Sequence, residues 1–135
     1  LAEVEVIRPL KVDERVTRHA YHLYIFRYDA DAFGGASREQ FLKALAAEGI
    51  PCSVGYKPLY QEPAFQARFA DFPLPSPAFG GRPDYSGVHC PVTERVCANE
   101  AVWLTQNLLL GTESDTSQIA EAIIRIAAQP EALAG

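Results

Sequence analysis

Two tyrosines, a lysine and a proline fall within the five residues Tyr56-Lys57-Pro58-Leu59-Tyr60, inside the stretch IPCSVGYKPLYQEPAF. Each type brings something a ligand could use. A tyrosine offers a broad ring with a hydroxyl at its tip. A lysine offers a compact cation to an anion. Proline holds its own backbone angle and stiffens the run. The run reads either as the wall of a site or as packing in an awkward loop, and spacing does not separate the two. His22 is the other candidate. It alternates with Tyr24 and Phe26 in YHLYIFRY. That makes it either a satisfied histidine on an apolar strand face or a donor at an open edge near the strand's N-terminal end.

Other chemistries lack their residues. Gly34-Gly35 and Gly80-Gly81 have neither the context nor the spacing of a phosphate loop or dinucleotide fingerprint, and read as turns. His89-Cys90 and Cys97 have no second ligand pair for zinc. His19, His22 and His89 occur without a nucleophile elbow. Asp29, Asp31, Glu94 and Glu100 read as solvated or capping carboxylates rather than an acid–base pair. The three cysteines, Cys52, Cys90 and Cys97, cannot all pair and suggest small buried thiols. That points to a reducing compartment and predicts a cytoplasmic protein. Acidic residues number 17 against 12 basic ones, for a formal net charge of -5. No basic stripe is present to track phosphates, so nucleic acid is not an expected partner. No apolar run approaches a membrane span, and no membrane partner is expected.

These residues need elements to hold them. Residues 21–28 predict a strand apolar on both faces and therefore central in a sheet. Ser37 reads as an N-cap, with Gln40 completing a capping box. Phe41, Leu42, Leu45 and Ala46 line one face of the helix that follows. Gly49 then terminates it, and Pro51 cannot continue it. Residues 50–54 predict a second, buried strand, and residues 63–69 a short helix. Residues 71–91 hold five prolines and three glycines. Such an irregular excursion is either a functional cover or a passive insertion. Pro91 suits the first turn of a helix reaching residue 101, and residues 102–110 predict a third strand. Ser114 or Asp115 would cap a last helix built on Ile119, Ile123 and Ile126. The opening LAEVEVIRPL reads as the continuation of a helix from upstream, stopped by Pro9. The sum is an α/β fold, a small three- or four-stranded sheet with helices mainly on one face.

The blocks YHLYIFRYD, SREQFLKALAAEGIPCSVGYKPLYQEPAF, CPVTERVCANEAVWLTQNLLLG and IAEAIIRIA, in that order, resemble the C-terminal small domain of the DegT/DnrJ/StrS family. Members are pyridoxal-phosphate-dependent aminotransferases acting on keto-sugars and related cyclitols. The resemblance runs from about Arg8 to Ala128 and leans toward the branch that aminates inosose-type cyclitols with glutamine. It implies that residues 1–135 form the single small domain of a fold-type I aminotransferase. Residues 1–10 would continue from a large domain carrying the pyridoxal phosphate and its lysine. Lys11, Lys43 and Lys57 do not stand in the serine-containing context of that lysine, so the resemblance implies no transamination by this chain alone and assigns it no catalytic residue. The family's run of His/Tyr-x-Pro-x-His/Tyr matches Tyr56 to Tyr60, and its aromatic–histidine strand start matches Tyr21-His22. Tyrosine at both positions favours hydrogen bonding to a polyol over acid–base work. His22, Tyr56, Lys57 and Tyr60 are thus the expected substrate-binding residues. The expected partners of the parent are a keto-sugar or keto-cyclitol, an amino-acid donor and a second subunit in a homodimer. Thr105 departs from the family's Trp-Leu-Pro pattern. The rivals are a free-standing module that binds a sugar or cyclitol without catalysis, and a purely structural interaction domain.

Overall fold

The computed structural model describes residues 1, 3–66 and 85–134. Three strands, β1 (Ile7–Pro9), β2 (Leu23–Tyr28) and β3 (Ala101–Thr105), form one antiparallel sheet in the order β1-β2-β3. β2 is central, as its two-sided apolar pattern predicts. Tyr24 faces Leu104 and Phe26 faces Val102, while Leu23, Ile25 and Arg27 face Thr105, Trp103 and Ala101. Because side chains alternate, Tyr24, Phe26, Tyr28, Val102 and Leu104 share one sheet face and Ile25, Arg27 and Trp103 the other.

The long helices, α1 (Arg38–Ala47) and α4 (Glu113–Ala128), cover the first of these faces. Phe41 of α1 meets Phe26 edge-on at 6.4 Å and stacks on Tyr28 at 5.0 Å. Phe26, Phe33, Phe41, Leu45, Val102, Leu104 and Ile123 are fully buried there. The fold class is the predicted one, an α/β sheet with its helices mainly on one side. Ser37 caps α1 through the predicted box with Gln40. Gly49 follows at φ 84, a left-handed angle that suits glycine. Gly34 and Gly35 turn the chain at φ 63 and 82.

Several expectations are corrected. The opening residues carry β1 rather than a helix end. Val4 and Ile7 bury in the core, and Pro9 is tolerated because β1 is an edge strand. Residues 50–54 do not form a strand. They contribute one bridge, Ser53 to Trp103, since Pro51 lacks an amide donor and Gly55 turns the chain away at φ 77. β3 stops at Thr105, whose Oγ1 donates to Asn107 Oδ1 at 2.6 Å as a 3-10 turn, Gln106–Leu109, begins. The cap of α4 is Thr112, with Asp115 in the reciprocal capping position, rather than Ser114 or Asp115 itself. Cys52 and Cys97 are half-buried, but Cys90 is exposed, so the buried-thiol reading does not extend to it.

The short helix α2 is Pro63–Gln66, and the last residues of its predicted span, 67–69, lie outside the described residues. Most of the irregular excursion, 71–84, with Gly80-Gly81, lies outside them too. Residues 85–90 lead to α3 (Pro91–Arg95), opened by Pro91 as predicted. α3 widens into a π-helical turn, Val96–Glu100, before β3. Glu100 ties this turn to the sheet. It accepts Arg27 Nε at 2.6 Å and pairs with Arg95 Nε at 2.9 Å.

Candidate functional site

The sheet face away from α1 and α4 carries Trp103, and Gly55 lies against its indole. A Cβ on Gly55 would lie only 2.2 Å from Trp103 Cε2, so the chain passes over the ring only as glycine. Tyr56 then stands edge-on to Trp103, with ring centroids 4.8 Å apart and planes at 81°. This is a favourable aromatic geometry that still leaves Tyr56 70% exposed. Pro58 is buried and anchors the run, and the turn Leu59–Gln61 swings Tyr60 toward α3.

Tyr60 Oη donates to Glu94 Oε1 at 2.5 Å. The Cys90 amide at the start of α3 donates to both, at 3.2 Å to Tyr60 Oη and 3.1 Å to Glu94 Oε1. His89 Nδ1 lies 3.7 Å from the same carboxylate oxygen. Desolvation and the bond to the carboxylate raise the Tyr60 phenol above its ordinary value. The phenol's bond and the Cys90 amide hold the Glu94 carboxyl below its own. The arrangement therefore keeps a neutral phenol against an ionised carboxylate.

Between these parts lies a cleft of about 540 Å³, with Tyr56, Lys57 and Pro58 on one side and Arg38, Glu94 and Cys97 on the other. Arg38 builds the second side. Its guanidinium donates to the carbonyls of Cys97 and Ala101 at 3.0 Å each and of Ala98 at 2.6 Å. Cys97 and Ala98 belong to the π-helical turn and Ala101 opens β3, so the guanidinium bonds across the point where helical partners run out. Burial lowers the Arg38 basicity.

The four expected site residues are not brought together as one group. Tyr56 and Lys57 line the cleft. Tyr60 is not among the lining residues and reaches the cleft through Glu94. His22 is exposed and stands one residue before β2, so it does not occupy the apolar strand face. Tyr21 has φ 45, which interrupts the strand alternation at that point. Ile25 is the residue opposite Trp103. At about 3.3 Å per strand residue, His22 lies roughly 10 Å along the chain from that position.

Sequence reasoning missed Gly55, Trp103 and Arg38, and read Glu94 as a solvated or capping carboxylate. Glu94 does cap, through the Cys90 amide, and holds Tyr60 as well. Arg38 left one signal. A cation in the first turn of a helix opposes the helix dipole, so it needs acceptors elsewhere.

None of the chain's lysines fits pyridoxal phosphate. A lysine holding that group needs an enclosed site with a partner for the ring nitrogen. Lys43 pairs with Glu39 at 2.8 Å on the outer side of α1, and Lys11 and Lys57 are exposed. Among the described residues no group of three or more His, Cys, Asp or Glu is placed to hold a metal ion. No helix among them is long and apolar enough to cross a membrane.

The DegT/DnrJ/EryC1/StrS aminotransferase family model matches residues 1–123. A putative L-glutamine:3-amino-2,3-dideoxy-scyllo-inosose aminotransferase of Streptoalloteichus tenebrarius is 33% identical over 136 residues, covering 98% of this chain and 33% of that protein. A protein of the same description from Micromonospora echinospora is 31% identical over 128 residues, covering 93% of the chain and 31% of its own length. The chain thus spans about a third of the length of the curated relatives it matches. The crystal structure of 3-amino-5-hydroxybenzoic acid synthase superposes with a TM-score of 0.62 at 22% identity, over 94% of this chain and 30% of that one. That likeness carries the fold.

Proposed function

The chain belongs to the DegT/DnrJ/EryC1/StrS aminotransferase family, and from that premise we propose that it forms the acceptor-side wall of a pyridoxal-phosphate-dependent aminotransferase. The acceptor is a keto-cyclitol or keto-sugar and the donor is glutamine, in keeping with the names of the relatives. The observation that carries this reading is Tyr56, 70% exposed on a Trp103 support beside Lys57 and the cleft.

The wall works by contact. The Tyr56 ring covers one side of a polyol, and its hydroxyl hydrogen-bonds a ring substituent. Lys57 adds a second donor, and Pro58 keeps both on a stiff backbone. Tyr60 completes the wall from behind, and His22 reaches the acceptor from the N-terminal end of β2. Held in one orientation and screened from water, the acceptor carbonyl reacts in a fixed geometry. Pyridoxal phosphate supplies an electron sink when bound. It and its lysine belong to the part of the protein outside residues 1–135, consistent with a chain a third as long as its relatives. The whole protein acts as a cytoplasmic homodimer, and this chain alone does not transaminate.

The test uses the protein that carries this chain, loaded with pyridoxal phosphate and given glutamine and a scyllo-inosose-type ketone. The expected result is an amino-cyclitol product by mass, with Tyr56→Phe weakening acceptor use more than cofactor binding. Cofactor uptake without transfer to any keto-cyclitol or keto-sugar would sink the reading. The rival binding module predicts that the natural protein takes up no pyridoxal phosphate at all.

A further inference from the structure

Tyr60 commits its hydroxyl inside the protein. A phenol has one proton to donate and two lone pairs. The proton goes to Glu94 Oε1, and one lone pair takes the Cys90 amide. Tyr56 differs. It is 70% exposed and its hydroxyl makes no hydrogen bond among the described residues. The two tyrosines of one short run are therefore unlike in chemistry, although the sequence pattern makes them equivalent.

Glu94 stands at the junction. It lines the cleft opposite Tyr56 and Lys57, and among the described residues its carboxylate meets Tyr60, the Cys90 amide and His89 through one oxygen, Oε1. Only three residues separate Tyr56 from Tyr60, and buried Pro58 sits midway. Pinning the far end of so short and stiff a run limits where its near end points. We propose that Glu94 is a positioning residue for acceptor recognition, holding Tyr60 so that Tyr56 and Lys57 face the cleft at a fixed distance from α3. Tyr60 acts through this hold rather than by donating to the acceptor. The inference rests on the acceptor-wall reading.

Charge supports the assignment. The carboxylate is the strongest acceptor a phenol can find in a side chain. Removing it leaves the phenol and the Cys90 amide without their shared partner.

The test compares acceptor KM, glutamine KM and kcat for E94A, E94Q, Y60F and the double variant E94A/Y60F in the full-length, cofactor-loaded protein. In E94A and in Y60F the acceptor KM is expected to rise about tenfold, the loss of one hydrogen bond to a charged group. Glutamine KM and kcat are expected to stay within about twofold of wild type. The double variant should be no worse than either single one, because both break the same bond. E94Q, which keeps an acceptor oxygen, should recover most of the loss. A merely structural Glu94 would lower Tm without separating acceptor KM from glutamine KM. If E94A does not fold, Glu94→Met replaces it at similar volume. An unchanged acceptor KM in Y60F overturns the inference whatever the Glu94 variants do. So does a rise in Y60F with none in E94A, which would mean direct donation by Tyr60. Absence of transfer by the wild type overturns both this and the wall reading. Wild-type transfer with unmoved acceptor KM in the variants overturns the inference alone.

Discussion

Gly55 and Cys52 show how single positions shape the site's surroundings in opposite ways, one by having no side chain and the other by hiding it. Gly55 holds φ 77 against the Trp103 indole. In Gly55→Ala the backbone angle is strained and the new methyl meets the ring, so the variant should lose at least about 1 kcal/mol in a urea melt. Trp103 fluorescence should shift with it, because the indole must move or be uncovered; an unaltered spectrum and midpoint would refute the contact. Cys52 donates to the Leu42 carbonyl at 3.8 Å, and burial pushes its thiol up to about 11. At pH 8 it is almost wholly protonated and therefore a poor nucleophile. Exposed Cys90 should accept iodoacetamide well before Cys52 does. Peptide mapping by mass checks the order, and equal rates would contradict the burial.

α3 is the element on which the site depends most; Pro91 marks its start in the sequence, but nothing there marks its bond to Tyr60. Its hold on the tyrosine run has a definite pH window. Glu94 titrates below its ordinary 4.5 when folded, so its contribution is present above 4.5 and is lost as pH falls through the lower folded value. Tyr60 titrates above its ordinary 10.0, so its contribution is present below 10.0 and is lost as pH rises through the folded value. The Cys90 amide resonance should therefore move on acidification below 4.5 in the wild type and stay still in Glu94→Gln. Identical titrations would show that Glu94 is not the group sensed.

Local signals explain which elements were legible. The Ser37–Gln40 box spans four residues, the aromatic alternation of β2 spans six, and both survive in the fold. Thr112–Asp115 has the same spacing and was passed over for the residues just inside it. β1 and the lone Ser53–Trp103 bridge depend on partners far along the chain, which no short pattern encodes. At the site, Tyr56 and Lys57 were visible as types. Arg38 was not, and Glu94 was visible only as a capping carboxylate, because their roles at the cleft come from the meeting of α1, α3 and the tyrosine run.

At the scale of the molecule, one sheet divides two duties. Its helix-covered face holds the buried aromatic and aliphatic core, and its other face carries Trp103 beneath Gly55 and Tyr56. Lys11, Lys43 and Lys57 are all exposed, so mixing this chain with pyridoxal phosphate should give no saturable, one-to-one adduct by absorbance or intact mass. A saturable adduct at Lys57 would overturn the division of labour proposed above. Family and fold were legible because the matching blocks run through most of the chain, while the cleft's second side joins Arg38 to carbonyls some sixty residues away, which no local pattern encodes.

Arg38 sets the character of that second side. One planar group joins the first turn of a core helix to three carbonyls around the start of β3. The jaw of the cleft formed by α3 and its π-helical turn is thereby braced to the core, whereas the jaw formed by Tyr56 and Lys57 hangs from a short run pinned at Gly55 and Tyr60. The cleft thus has one jaw braced to the core by Arg38 and one pinned at its two ends. Changes of acceptor size should be met by substitutions in residues 56–60, and changes at Arg38 should alter the shape of the opening for every acceptor alike.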